Sequence, residues 1–202
     1  MTMLRILSIV FLVLAGNLSA AQYKWELEKD KAGIKVYSSS VQHSSFKAIK
    51  VECTLSGTYS KLISILTNFS QYYLWIYHAK SSKLIKANST NDFIYYLENE
   101  APWPLSNRDG VIRLKMQTDS LPKFLTITEN IEAGILPAKG DNVRIKRFNA
   151  SWKISMPGPQ SISIYYVLEV DPGGSVPAWV SNLFIDKGAY ETFSGLAKKM
   201  KE

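Results

Sequence analysis

Cysteine, histidine and long apolar runs are scarce in this 202-residue chain, and each scarcity removes a class of chemistry. Cys53 is the only cysteine, so no internal disulfide can form and the core must hold without staples. His43 and His78 are the only histidines, and neither has a carboxylate or cysteine nearby at ligand spacing. No HExxH, CxxC, GxSxG, phosphate-loop or dinucleotide fingerprint occurs. Metal-assisted hydrolysis, phosphoryl transfer and the nucleophile elbow therefore have no signal, and no cofactor is expected. One S-x-x-K match, Ser44 to Lys47 in "SSFK", opens a strand instead of a helix and lacks its partner motifs. Lysine and arginine outnumber acidic residues 24 to 17, but "KKMK" at 198–201 is their only dense cluster. A basic run at a helix end offsets the helix dipole, so nucleic-acid binding is disfavoured, while weak attraction to anionic membranes is retained.

Hydrophobic runs are confined to the start. Arg5 precedes an apolar stretch from Ile6 to Ala15, followed by the small residues of "LSAA". Met1 to Ala21 reads as a secretory signal peptide, because the apolar run is too short to span a bilayer. Residues 22–202 are then expected as one exported domain, periplasmic or secreted. A hydrophobic content of 46% is enough to fill a single core.

The remainder alternates or repeats in legible ways. "WELEKDK" suggests a short helical start, Gly33 a turn, and Ile34 to Ser38 a strand. Ile49, Val51, Cys53 and Leu55 alternate with Lys50, Glu52 and Thr54, the pattern of a half-buried strand. Leu62, Ile65, Leu66 and Phe69 follow at helical spacing, with Thr58 or Ser60 as cap. Five further stretches read as strands: "DFIYYLENE", "GVIRLKMQT", "KFLTITENI", "NVRIKRFNASWKISM" and "ISIYYVLEV". Their short connections imply an antiparallel sheet, and a parity change near Arg147 implies a bulge or bend. After "DPGG" an amphipathic helix runs to the C-terminus. The fold class is α+β, a curved antiparallel sheet gripping that helix.

The loop "APWPLSNRDG" precedes one of these strands. Pro102 and Pro104 stiffen it, Trp103 offers a packing anchor, Asn107 suits a turn, and Arg108 with Asp109 forms an adjacent ion pair at the strand entrance. With no base or nucleophile beside them, these residues are expected to be structural.

Four stretches in order, "GIKVY" at 33–37, "PWPLSNRD" at 102–109, "KGDNVRI" at 139–145 and "DPGGSVPAWVSN" at 171–182, resemble the START family of lipid-binding domains. The resemblance runs from about Trp25 to the C-terminal helix. It implies a helix-grip fold around an internal hydrophobic tunnel, and non-covalent binding or transfer of a lipid or other hydrophobic small molecule. Strand parity and the helix face nominate the wall: Ile112, Leu114 and Met116; Phe148, Trp152 and Ile154; Ile164, Tyr166 and Leu168; Trp179, Leu183 and Phe184. Arg144 shares parity with Phe148 and Trp152 and is nominated as an internal polar residue, whereas Val111, Arg113 and Lys115 are expected to face out. Two alternatives remain. One is an enzyme of cyclase or hydrolase type using Tyr95, Tyr166 or Arg144 in the same tunnel. The other is an exported sensing or interaction module. No pattern sets an oligomeric state.

Overall fold

A β-hairpin opens the folded chain: β1 (Glu26–Lys31) turns at Ala32 and Gly33, both with positive φ, into β2 (Ile34–Ser40). The first segment is a strand and not the expected helix. The Ala32–Gly33 turn gives it the neighbouring β2 as an antiparallel partner, and tertiary pairing overrides the helical propensity of its Glu and Lys residues. A computed structural model describes the backbone of residues 23–118, 124–137, 139–174 and 178–202, and the side chains of all of these but 178–186. The predicted signal peptide lies outside the described residues.

β3 (Lys47–Ser56) leads to α1 (Tyr59–Leu66), where the Thr58 side chain caps the helix by accepting from Lys61 N at 3.2 Å. A 3-10 segment (Phe69–Leu74) follows. Then come β4 (Ala79–Ser89), β5 (Asp92–Asn99), β6 (Arg108–Thr118), β7 (Phe124–Ile131), β8 (Val143–Arg144), β9 (Arg147–Gly158), β10 (Ser161–Asp171) and α2 (Ala178–Lys201). β4 escapes the sequence pattern because it is an edge strand whose side chains are mostly exposed.

The described strands form one sheet in the order β1-β2-β3-β10-β9-β7-β6-β5-β4, antiparallel throughout that path. β8 joins β6 in parallel, pairing Arg108 with Val143 and Asp109 with Arg144. The expected bulge near Arg147 is thus a full break. The chain leaves the path of β9, and Val143 N and Ile145 N donate to the carbonyls of Asn107 and Asp109, each at 2.8 Å.

The sheet's concave face carries the core, which runs from Val36 and Val51 through Ile127 and Ile154 to Phe193 and Leu196 of α2. Helix α2 packs on β2 and β3, and Gly195 lies against the 3-10 segment's end, where an added Cβ would stand 2.5 Å from Trp75 O. That contact requires glycine. Lys198, Lys199 and Lys201 occupy the last turn of α2, where positive charge suits the helix dipole.

Candidate functional site: an apolar cavity with one buried carboxylate

Alternation along each strand decides which side chains face α2. On β5 these are Tyr95, Leu97 and Asn99; on β6, Arg108 and Leu114; on β7, Ile127 and Glu129; on β9, Phe148 and Trp152; on β10, Tyr166, Leu168 and Val170. With Trp75 from the end of the 3-10 segment and Gly188, Ala189, Thr192 and Phe193 from α2, they enclose about 390 Å³. This volume falls within the ~300–1,000 Å³ typical of small-molecule sites. The lining is overwhelmingly apolar and aromatic.

Of the nominated wall residues, Leu114, Phe148, Trp152, Tyr166 and Leu168 line the cavity. Ile112, Met116, Ile154 and Ile164 point to the same face but are buried in solid core outside the cavity. Parity selects a face of the sheet and leaves open where along the strand the cavity ends. Trp179, Leu183 and Phe184 have side chains outside the described residues.

Arg144 is corrected outright. It sits on the opposite, convex face of the sheet, because β8 is a separate strand and does not share the parity of β9. Its guanidinium grips Asp109, Nε to Oδ1 at 2.7 Å and Nη2 to Oδ2 at 3.0 Å, and donates to the carbonyls of Leu136 and Pro137. Asp109 is fully buried, yet its pKa is lowered. Burial opposes the charge, but Arg144, the Lys139 N–H and the Tyr96 hydroxyl outweigh it. Beside it Glu98 accepts from Lys139 Nζ at 2.8 Å, and this bond leads the causes that hold its carboxyl down to about 2.

Two further expectations change. Arg108 and Asp109 are neighbours in sequence but on opposite faces, so they are not an ion pair: Arg108 turns inward to the cavity and donates to Ser106 O. Trp103 is 92% exposed and anchors nothing. Val111 faces out with Arg113 and Lys115, as expected, but is buried under Leu136 with Ile94 and Tyr96. Asn107 does shape the turn, its Oδ1 accepting from Ala101 N at 3.2 Å.

Sequence reasoning overlooked Glu129. It is 6% exposed and stands in the inward row Leu125, Ile127, Glu129, Ile131. Tyr95 Oη donates to its Oε1 at 2.7 Å and Trp152 Nε1 to its Oε2 at 2.8 Å. Burial raises its pKa, with the two donors working against the rise. Unlike Asp109 it has no cationic partner among the described residues. The signal was present in "FLTITENI", where a charged residue breaks an otherwise apolar register. Trp75, on the same wall, has a buried Nε1–H with no hydrogen-bond partner among the described residues.

The START domain family profile matches residues 12–202. An uncharacterised protein of Pseudomonas aeruginosa is 29% identical over 184 residues, covering 90% of this chain and 88% of its own. Phosphatidylcholine transfer protein of Mus musculus is 25% identical over 178 residues, covering 86% and 82%. The crystal structure of a STAR-related lipid transfer protein fragment from Xanthomonas axonopodis superposes with a TM-score of 0.81 at 29% identity, covering 88% of this chain and 99% of that one. With a C-terminal helix packed on a curved antiparallel sheet, an apolar cavity between them and a family match over nearly its whole length, this chain belongs to the START domain family.

Proposed function

We propose that this protein binds one lipid or similar hydrophobic small molecule in the cavity and carries it between membranes. The observation that carries the reading is the apolar, aromatic enclosure between the concave sheet and α2. Burying roughly 300 Å² of ligand surface at about 25 cal/mol per Å² supplies about 7–8 kcal/mol, of which association removes a large share. Binding of that strength is reversible, as carriage requires.

Exchange with a membrane is assigned to the cavity's mouth. The loops 100–107, 132–142 and 171–174 gather at one end of the sheet, because β5, β7 and β10 all finish beside the start of β6 or β9. Trp103 and Ile135 are exposed there, together with Lys139, Lys146 and Arg147. An exposed tryptophan among basic residues suits the interface of an anionic bilayer. The N-terminal sequence supports export, with the carrier working in the periplasm or outside the cell.

Catalysis is disfavoured by the lining. Among the described residues the cavity wall bears no histidine or cysteine, and burial drives the hydroxyls of Tyr72, Tyr95 and Tyr166 well above the ordinary tyrosine range. Groups so far from neutral pKa values are poor proton shuttles.

The test is native mass spectrometry of protein recovered from its own compartment, followed by a vesicle-to-vesicle transfer assay. A stoichiometric apolar ligand and accelerated lipid exchange are expected. A protein that recovers no ligand and binds no member of a broad lipid panel would sink the reading. A bound molecule released with altered mass would replace it with the enzyme.

A further inference from the structure

The convex face holds a second recess, apart from the cavity and independent of the carrier reading. Register places two rows of side chains next to each other there: Ser81, Glu98 and Asp109 across β4, β5 and β6, and beside them Lys83, Tyr96 and Val111. The 132–145 segment lies over these rows. Lys139 Nζ holds Glu98 at 2.8 Å, Arg144 Nε holds Asp109 at 2.7 Å, and Leu136 packs on the cluster of Ile94, Tyr96 and Val111. All three attachments fall on β5 and β6. Toward β4 the segment stands off, and the gap is a pocket of about 340 Å³ whose walls include Ser81, Lys83, Tyr96, Leu136, Pro137 and Lys139. It shares no lining residue with the cavity.

The walls differ in kind. Leu136, Pro137 and the ring of Tyr96 are apolar, and the Tyr96 hydroxyl is already committed to Asp109 Oδ2 at 3.2 Å. The Ser81 hydroxyl is committed as well, donating to Glu98 Oε2 at 3.2 Å. Charge, by contrast, is unbalanced: Lys80, Lys83, Lys139 and Arg144 gather around two carboxylates, Glu98 and Asp109. Lys80, at 3.6 Å, shares Glu98 with Lys139. Lys83 has no carboxylate partner among the described residues, and its ammonium stands 5.9 Å from the centre of the Tyr96 ring. A cationic ligand would meet this excess of like charge, and a neutral apolar one would leave Lys83 unused. A bare inorganic anion would pair with Lys83 but leave the apolar walls in water. We propose that the pocket is a second binding site, for a small organic anion whose apolar body lies against Tyr96, Leu136 and Pro137 and whose charged group meets Lys83. Seated there, the anion ties the 132–145 segment to β4.

Four probes separate the alternatives in a titration followed by backbone-amide NMR: naphthoate, naphthamide, naphthylmethylammonium and inorganic phosphate. Naphthoate should shift the amides of residues 81–83, Tyr96, Leu136 and Lys139. It should bind there about fourfold more tightly than the neutral amide, the increment of one exposed charge pair. In Lys83→Met that ratio should fall below about twofold while naphthamide binds as before, showing the pocket intact. Added salt should narrow the wild-type ratio in the same direction. Shifts confined to cavity residues such as Leu114 and Trp152, or no shift with any probe, overturn the proposal. Tightest binding at the convex pocket by the amide, the ammonium or phosphate overturns it too, and so does an undiminished ratio in Lys83→Met. None of these outcomes touches the carrier reading, because ligand in the cavity is read separately from the amides of Leu114 and Trp152.

Discussion

The two faces of the β5 to β7 region bury carboxylates by opposite means. On the convex face Asp109 and Glu98 lie under the 132–145 segment, each held by a cation and by several neutral donors. On the concave face Glu129 is also buried but, among the described residues, is held by a tyrosine and a tryptophan alone. Removing a charge from water costs several kcal/mol unless it is paired, so the outer pair closes its own account while the inner group remains open to a partner. The outer face is finished as structure, and the inner face is left incomplete in the way a binding site is.

The largest effect should come from breaking the outer face. Asp109→Ala strands Arg144 and should cost about 3 kcal/mol in urea unfolding, whereas Asp109→Leu combined with Arg144→Met should recover much of it. A cost below about 1 kcal/mol for the single change would show that the pair does not clamp β8 to β6. Next in size is Gly195→Ala, which forces a methyl group against the backbone of Trp75 and should lower stability by about 2 kcal/mol. A neutral result would mean that α2 shifts freely on the 3-10 segment.

Acid titration sharpens the comparison by sign. Asp92, held chiefly by its hydrogen bond from Arg113, and Glu98, held by Lys139, both titrate at about 2, below their ordinary values. Their contribution is complete above pH of about 4.5 and is lost as pH falls toward 2. Glu129 is raised instead, so its contribution is present below its ordinary value of 4.5 and is lost as pH rises through its folded value. Glu129→Gln should therefore be within about 1 kcal/mol of wild type at neutral pH, and should flatten the decline in stability on the alkaline side of 4.5. A variant that loses stability equally at every pH would contradict this sign. The smallest effect on folding should come from Trp103→Ala: no change in melting temperature, with a several-fold loss in binding to anionic vesicles measured by sedimentation.

Most of the sheet was legible because strands with one wet face alternate, as β7 and β10 do and as β3 and β6 do in their second halves. β1 and β4 were hidden because edge strands bury too little to alternate, and pairing with a neighbour decided their conformation. Within the site, parity brought Leu114, Phe148, Trp152, Tyr166 and Leu168 to the wall. It misassigned Arg144 because a two-residue parallel strand interrupts the run, and a strand break is invisible to alternation. Glu129 was legible in principle. A lone charge in an inward register is a small mark in sequence and a large one in energy.

The opposed directions of Arg108 and Asp109 also act on the pairing of β6. A slip of one residue would exchange the faces of every side chain on that strand. In the direction that brings Arg108 into the place of Asp109, it would set the Arg108 guanidinium against that of Arg144 and turn the aspartate onto the concave face. Two adjacent residues of opposite charge thus serve as a key for strand register. That alignment pits cation against cation on the convex face and leaves a carboxylate unpaired on the concave one.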